Sequence, residues 1–245
     1  MKNIVAILLL VMVSSAYAQH DVTHQDLYWL KYRAQIGLKN NWTLGASIED
    51  RRYFKNNRQH MWLYTIDATR KLTNGWAVGV GFLRWTINVP SDPEADVEVT
   101  SGEWRPHVFA KQSQQWSDRL TFQTRILIEN RIRQKMTQDA TGNPQVADGY
   151  YAYIRPRFKW QLAYRITNAE AALPVSAYVS NEVMVHFGDQ RLPNLYDQNR
   201  IGAGLSFEVT QKLGASLGYI HWYQQQAENT YVQRDIFNLY LTQKF

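Results

Sequence analysis

Alternation of apolar and polar residues with a period of two, sustained for about ten residues at a time, most restricts what this chain can fold into. Tyr28, Leu30, Tyr32, Ala34, Ile36 and Leu38 are apolar, while Lys31, Arg33, Gln35 and Lys39 fill the other phase. After "KNN" the pattern restarts, with Trp42, Leu44, Ala46 and Ile48 set against Thr43, Ser47, Glu49 and Arg51. Successive side chains of a strand point to opposite faces, so each such stretch reads as a strand with one apolar and one polar face. The pattern recurs from Trp62 to Ala68, Trp76 to Phe82, Trp104 to Ala110, Leu120 to Ile128 and Ala152 to Leu162. Further stretches run from Val175 to His186, Asn199 to Val209, Leu213 to Tyr223 and Ile236 to Phe245. The fold class this predicts is all-β, with strands longer than the globular average of about 5–6 residues.

The links between these stretches alternate in length. Short turns lie at Asn40, at Asn74 and Gly75, around Gln115 and at Gln211, with a longer one from Ile166 to Pro174. Long polar links run from Tyr53 to His60, Ile87 to Gly102, Gln134 to Gly149, Phe187 to Gln198 and Gln224 to Tyr231. Short periplasmic turns and long outer loops are the pattern of an outer-membrane barrel. Trp42 and Trp76 directly follow short turns and Trp116 lies inside one, where an aromatic girdle at a membrane interface would place them. Each Trp alone fits hairpin-end packing in a soluble sheet equally well. With a mean hydropathy of -0.45 and no long apolar segment after the N-terminus, a helical membrane protein is excluded. The expected architecture is a transmembrane antiparallel up-and-down β-barrel. Eleven segments can be counted, but single-chain bacterial barrels have an even number, so about twelve strands are expected, with ten as the alternative. A twelfth would come from a short strand within Gln19 to Asp26; a misread strand or an N-terminal segment through the lumen are the other ways to reconcile the count.

"MKNIVAILLLVMVSSAYAQ" carries a basic residue at Lys2, an apolar run from Ile4 to Val13, and Ala16 and Ala18 at cleavage positions. This predicts a cleaved signal peptide over residues 1–18, leaving residues 19–245 as a single barrel domain. The apolar run is short of the ~20 residues that span a bilayer. The chain has no Cys, so neither disulfides nor lipoprotein acylation can contribute. Loss of Lys2 takes the net charge from 27 minus 21, or +6, to 26 minus 21, or +5.

In "DIFNLYLTQKF", Phe237, Leu239, Leu241 and Phe245 share one phase, and Asn238, Tyr240, Thr242 and Lys244 share the other. A terminal aromatic closing an amphipathic strand resembles the assembly signal of Gram-negative outer-membrane barrels; Gln243 departs from it, an apolar residue being usual there. That resemblance implies the bacterial outer membrane as location, and as partners its lipid and lipopolysaccharide and the barrel assembly machinery. The "W-x-L-G-x-S" strand starts after Asn-rich turns and the hairpin "NRIGAGLSFEVTQKLGASLGYIHWY" resemble a family of small Gram-negative outer-membrane barrels known as a domain of unknown function. The resemblance covers nearly the whole mature chain. It implies fold and location and brings neither an activity nor catalytic residues.

If the apolar phase meets lipid, the polar phase faces the interior, since Arg or Lys at the bilayer midplane costs roughly 2 to 4 kcal/mol on the lipid side. His107 and Lys111, then Arg125, Glu129, Arg131 and Arg133, then Arg155, Arg157 and Lys159 therefore form one basic wall, with Glu129 its main counter-charge. The inward phases of other strands carry Gly37, Gly45, Ser47, Gly79, Gly81, Gly202, Gly204, Ser206, Gly214, Ser216 and Gly218, which leave space. Two readings stand. The lumen is a narrow channel whose basic wall attracts small anionic solutes, such as acidic sugars or phosphorylated compounds, or it is filled by long arginines reaching across to the glycine wall. A barrel of about twelve strands lies between the filled and the open sizes.

A third reading is a lipid hydrolase with its site at the outer rim. His186 shares a phase with Glu182, and His221 lies near the outer end of its strand, yet neither has a nucleophile motif beside it, so no catalytic residue is assigned. The link "NVPSDPEADVEVTSGE" carries five acids and no Lys or Arg. It could gather divalent cations or be a solvated loop, and without DxDxDG spacing no metal is expected. Neither a cofactor nor a nucleic-acid partner is expected, because no phosphate-binding glycine loop or nucleic-acid motif occurs.

Overall fold

The computed structural model describes residues 21–168, 170–188, 194–227 and 229–245; the expected signal peptide lies outside them. Eleven strands follow in order: β1 (Asp21–Gly37), β2 (Trp42–Tyr53), β3 (Gln59–Lys71), β4 (Trp76–Val89), β5 (Val99–Gln115), β6 (Leu120–Gln138), β7 (Pro144–Arg165), β8 (Val175–Val185), β9 (Tyr196–Glu208), β10 (Leu213–Ala227) and β11 (Thr230–Lys244). Chain neighbours pair antiparallel, and β11 returns to β1 to close the barrel. That last pair is parallel, from Asp21 opposite Thr230 to Gln35 opposite Lys244. The all-β barrel is as expected, with eleven strands in place of twelve. An even count is required only when the first and last strands run antiparallel, and here a parallel ladder closes an odd-numbered sheet. The stretch from Asp21 onward belongs to β1 itself, so no separate strand precedes Tyr28 among the described residues.

The period-two pattern sorts the two faces. Leu30, Ile36, Leu44, Ile66, Val80, Val108, Ile126 and Phe158 are exposed on even positions of the first seven strands, and Val179, Ile201, Leu217 and Phe237 on odd positions of the last four. An apolar belt contributed by every strand far exceeds the isolated patch of a few hundred Å² that a soluble monomer shows. Trp42, Trp76 and Trp116 end that belt beside the short turns. Arg70 lies 5.9 Å from the Trp42 ring, and Trp116 stacks on Phe122 at 4.7 Å.

The two ends of the barrel are built differently. At the short-turn end, Asn40, Asn41, Asn74 and Gly75 take left-handed conformations that Asn and Gly tolerate, which reverses the chain in few residues. A Cβ at Gly75 would strike the Ser113 carbonyl of β5, so only Gly fits there. Among the described residues the four register shifts lie at the long-link end, at Arg51/Arg52, Gln134/Met136, Met184/Val185 and Gln225/Ala227. Bulges at a barrel rim bend strands and re-aim side chains.

The link between β4 and β5 folds over this same end. Ser91 Oγ lies 3.0 Å from Tyr53 Oη and 2.8 Å from His60 Nε2, while Gln25 donates to the Ser91 carbonyl at 2.7 Å. From outside, Asn56 and Arg58 donate to the Pro93 carbonyl, and ion pairs join Arg58 to Glu98 at 2.7 Å and Lys55 to Glu94 at 3.2 Å. Acids of the acidic link are thereby matched by bases of the neighbouring link.

Candidate functional site

Inward side chains surround a cavity of about 690 Å³ that extends from Ser91 at the long-link end to Lys111 near the short turns. His107, Lys111, Arg125, Glu129, Arg131, Arg133, Arg155, Arg157 and Lys159 all line it, so the structure brings together every lumen residue singled out in the sequence. Lys31, Arg33, Arg51, Arg105, Arg200 and Arg234 line it as well. In total thirteen Lys and Arg face five Asp and Glu.

Glu129 is not the main counter-charge. Glu103, Glu182, Asp197, Glu49 and Asp67 share the task, all but Asp67 buried. Glu103 accepts from Arg105 Nε at 2.6 Å and takes both Nε and Nη2 of Arg131, the latter at 2.8 Å. Arg155 donates to Glu129 and, at 2.8 Å, to Asp197. Glu182 accepts from Arg157 at 2.9, 2.9 and 3.2 Å and from Arg125 at 2.8 Å. Arg33 grips Asp67 with two bonds of 2.8 Å, and Glu49 pairs with Arg51 and Lys31. Most of these carboxylates share the inward phase and could have been found by extending it. Asp197 could not: Met184 faces Gln198 and Val185 faces Tyr196, so Asp197 is the extra residue of a bulge and turns inward out of phase.

Tryptophans fill the spaces between the arginines. Arg51 lies 3.5 Å above Trp29, Arg105 lies 4.1 Å above Trp85, and Arg200 and Arg234 lie 4.3 and 4.4 Å from Trp222. Arginine stacks well on indole faces because its planar cation is weakly hydrated. Leu27, Trp29, Tyr53, Trp222 and Ile236 form one buried apolar cluster inside the barrel, and Met61, Leu63, Trp85 and Ile87 another.

Nor is the glycine wall vacant. A Cβ at Gly45 would meet the Arg33 guanidinium, one at Gly79 the Phe109 ring, one at Gly81 the His107 ring, and one at Gly218 the Tyr178 hydroxyl. Other strands lay long side chains across these glycines, so the space they leave is already used. Gly37, by contrast, has open space around it.

At the short-turn end the arrangement changes. Lys111 stands opposite Arg125, and Arg125 opposite Lys159, on β5, β6 and β7. A second cavity of about 340 Å³ is lined by these three with Gly75, Ser113, Thr124 and three glutamines, and by no Asp or Glu.

His186 is buried with its ring edge-on to Tyr153 at 6.2 Å, and Glu182 is held by arginines, so the shared phase of His186 and Glu182 does not make a pair. His221 Nδ1 lies 2.9 Å from Asp235 Oδ1 on the outward face, and the hydroxyl bonded to that carboxylate is the phenol of Tyr219 at 2.5 Å. Among the described residues no group of three or more His, Asp or Glu is arranged to hold a metal ion. Phe237 and Phe245 are exposed on the outward face, and the Phe245 amide donates to the Gln35 carbonyl at 2.9 Å.

A family model described as Protein of unknown function (DUF2490) matches residues 27–233. No curated protein matches the chain. Among solved structures, the chain is similar to the beta domain of the Bordetella autotransporter Brka, at 12% identity over 74% of each chain with a TM-score of 0.43. It is also similar to the NanC porin, at 15% identity over 78% of this chain and 84% of that one, with a TM-score of 0.46.

Proposed function

The chain belongs to the DUF2490 family, whose function is unknown, and we propose that it is an outer-membrane barrel whose lumen admits small anionic solutes. In this reading residues 1–18 are a cleaved signal peptide, the apolar belt meets lipid and lipopolysaccharide, and the strand carrying Phe237, Leu239, Leu241 and Phe245 is recognised by the assembly machinery. The observation that carries the solute class is the excess of thirteen Lys and Arg over five acids around one cavity. Glu103, behind Arg105 and Arg131, offsets one more of those cations. A low-dielectric tube focuses such an excess on its axis, attracting anions and repelling cations.

Single-channel recording from purified protein in planar bilayers tests the proposal. The expected result is a small conductance whose reversal potential in a salt gradient shows anion preference, strongest at low salt where screening is weakest. Cation preference would overturn it. Absence of conductance would favour a second reading, a filled barrel without transport, which is supported by the ion pairs that bridge strands β5 to β9 with almost no exposure.

A further inference from the structure

We propose that Lys111, Arg125 and Lys159 form a binding site for a phosphoryl group at the short-turn end of the lumen. The inference deepens the anionic-solute reading and rests on it for the origin of the ligand. Three cations occupy directly opposed positions on three adjacent strands. Like charges so placed destabilise a strand pair. Elsewhere in the lumen the cost is met by carboxylates between the arginines, as Glu103 lies between Arg105 and Arg131.

Here that relief is nearly absent. Among the described residues, Lys111 and Lys159 make no ion pair. Glu182 stands opposite Lys159 in register, but its oxygens are taken by Arg157 and by Arg125. That single bond to Glu182 braces the Arg125 head, while its Nε is buried and has no partner. The second cavity lies against all three cations and is otherwise bordered by amides, hydroxyls and the Gly75 backbone, with no acid to repel an anion.

The charge density selects the ligand class. A carboxylate brings one charge and two oxygens, which leaves most of the triad uncompensated. A phosphoryl group brings about -1.5 to -2 charges and three acceptor oxygens, one for each cation. Lysine supplies mobile point charges and arginine a fixed fork, a combination that suits a tetrahedral oxyanion more than a planar one. Ser113, Gln123 and Gln161, which share the inward phase of the three cations, are further donors around the same space.

The test uses the full chain folded in detergent micelles, titrated calorimetrically at low salt with inorganic phosphate and, separately, glucose 6-phosphate. Saturable binding at one site is expected, with equal affinities pointing to free phosphate and tighter binding of the sugar phosphate pointing to a phosphorylated solute. The double variant Lys111→Gln/Lys159→Gln should lose about tenfold or more in affinity, as two charge-assisted bonds disappear. Lys55→Gln on the long link should bind as the wild type does. Because the double variant removes repulsion, its thermal midpoint without phosphate should equal or exceed that of the wild type, and phosphate should raise the midpoint of the wild type alone. No saturable phosphate binding by the wild type, or binding that survives the double substitution, overturns the inference. Phosphate binding without bilayer conductance would sink the channel reading and leave this site standing; conductance without phosphate binding would do the reverse.

Discussion

The two halves of the lumen use the same residue types in the same phase and arrive at opposite states. Toward the long links, Arg105, Arg131 and Arg155 are at most 4% exposed, and each is bonded to a carboxylate that is itself buried. Toward the short turns, the Arg125 side chain is 35% exposed and shares one carboxylate, while its neighbours Lys111 and Lys159 have no ion pair among the described residues. An inward arginine is therefore structural or available according to where the acids lie. Regular inward positions supply the packed half with Glu103 and Glu129, one rim bulge adds Asp197, and the folded-in Ser91 link covers it. The open half has short turns and regular register, and nothing is folded over it among the described residues.

The sharpest way to break this comparison is to remove one carboxylate from the packed half. Glu103→Gln leaves Arg105 and Arg131 buried beside each other with only the longer contacts to Glu129 at 3.9 Å and Asp197 at 4.0 Å, and loss of a buried partner of this kind costs about 3–5 kcal/mol. Denaturant midpoints and the heat at which the compact gel band is lost should fall accordingly. Lys159→Gln in the open half should cost less than about 0.5 kcal/mol or stabilise the barrel. Equal losses at the two sites would mean that the halves do not differ.

A second, smaller effect concerns the cover. Replacing Ser91 with Ala and Arg58 with Gln removes the Ser91 hydroxyl from Tyr53 and His60, takes one of two donors from the Pro93 carbonyl and breaks the ion pair to Glu98. If the lumen conducts as proposed, the expected outcome in bilayers is a several-fold rise in conductance with unchanged ion preference, because the charged wall is untouched. A changed preference with unchanged conductance would move the selective element from the wall to the link.

Much of this was legible in the sequence, and what was not has definite causes. Period two separated the inward from the outward phase along the regular stretches of the strands, because an apolar phase on one side and a charged phase on the other leave little ambiguity. The strand number was missed by one, since an even count presupposes an antiparallel seam and strand direction at closure leaves no local signal in β1 or β11. Asp197 was hidden by its bulge, and Glu103 was read as part of an acidic link although it belongs to β5. The glycines were read as empty space because cross-strand neighbours, such as Phe109 beside Gly79, are known only once the register is.

That last point gives a third contrast. Gly79→Ala puts a Cβ against the Phe109 ring and 2.7 Å from the Ala68 carbonyl, and overpacking of this kind costs about 1–3 kcal/mol. Gly37→Ala meets nothing and should change stability by less than about 0.5 kcal/mol. Chemical denaturation of both variants, compared at equal detergent, measures the difference, and equal values would restore the view of the glycine wall as open space.

The smallest effect is expected outside the lumen, where pairing carries little weight. Lys55 and Glu94 lie 3.2 Å apart, but their side chains are 70% and 58% exposed. Water and salt screen such a pair, and holding two flexible chains together offsets most of the attraction, so about 0.5 kcal/mol or less is expected. Arg58 and Glu98 are closer, at 2.7 Å, and only 27% and 20% exposed, and Arg58 also donates to the Pro93 carbonyl. A double-mutant cycle on each pair should therefore give a larger coupling energy for Arg58 with Glu98, and raising the salt to about 1 M, where the Debye length is near 3 Å, should erase the Lys55 term first. If the exposed pair proved the stronger, burial would not be what separates charges that hold this barrel together from charges that only decorate it, and the contrast between the two halves of the lumen would lose its physical basis.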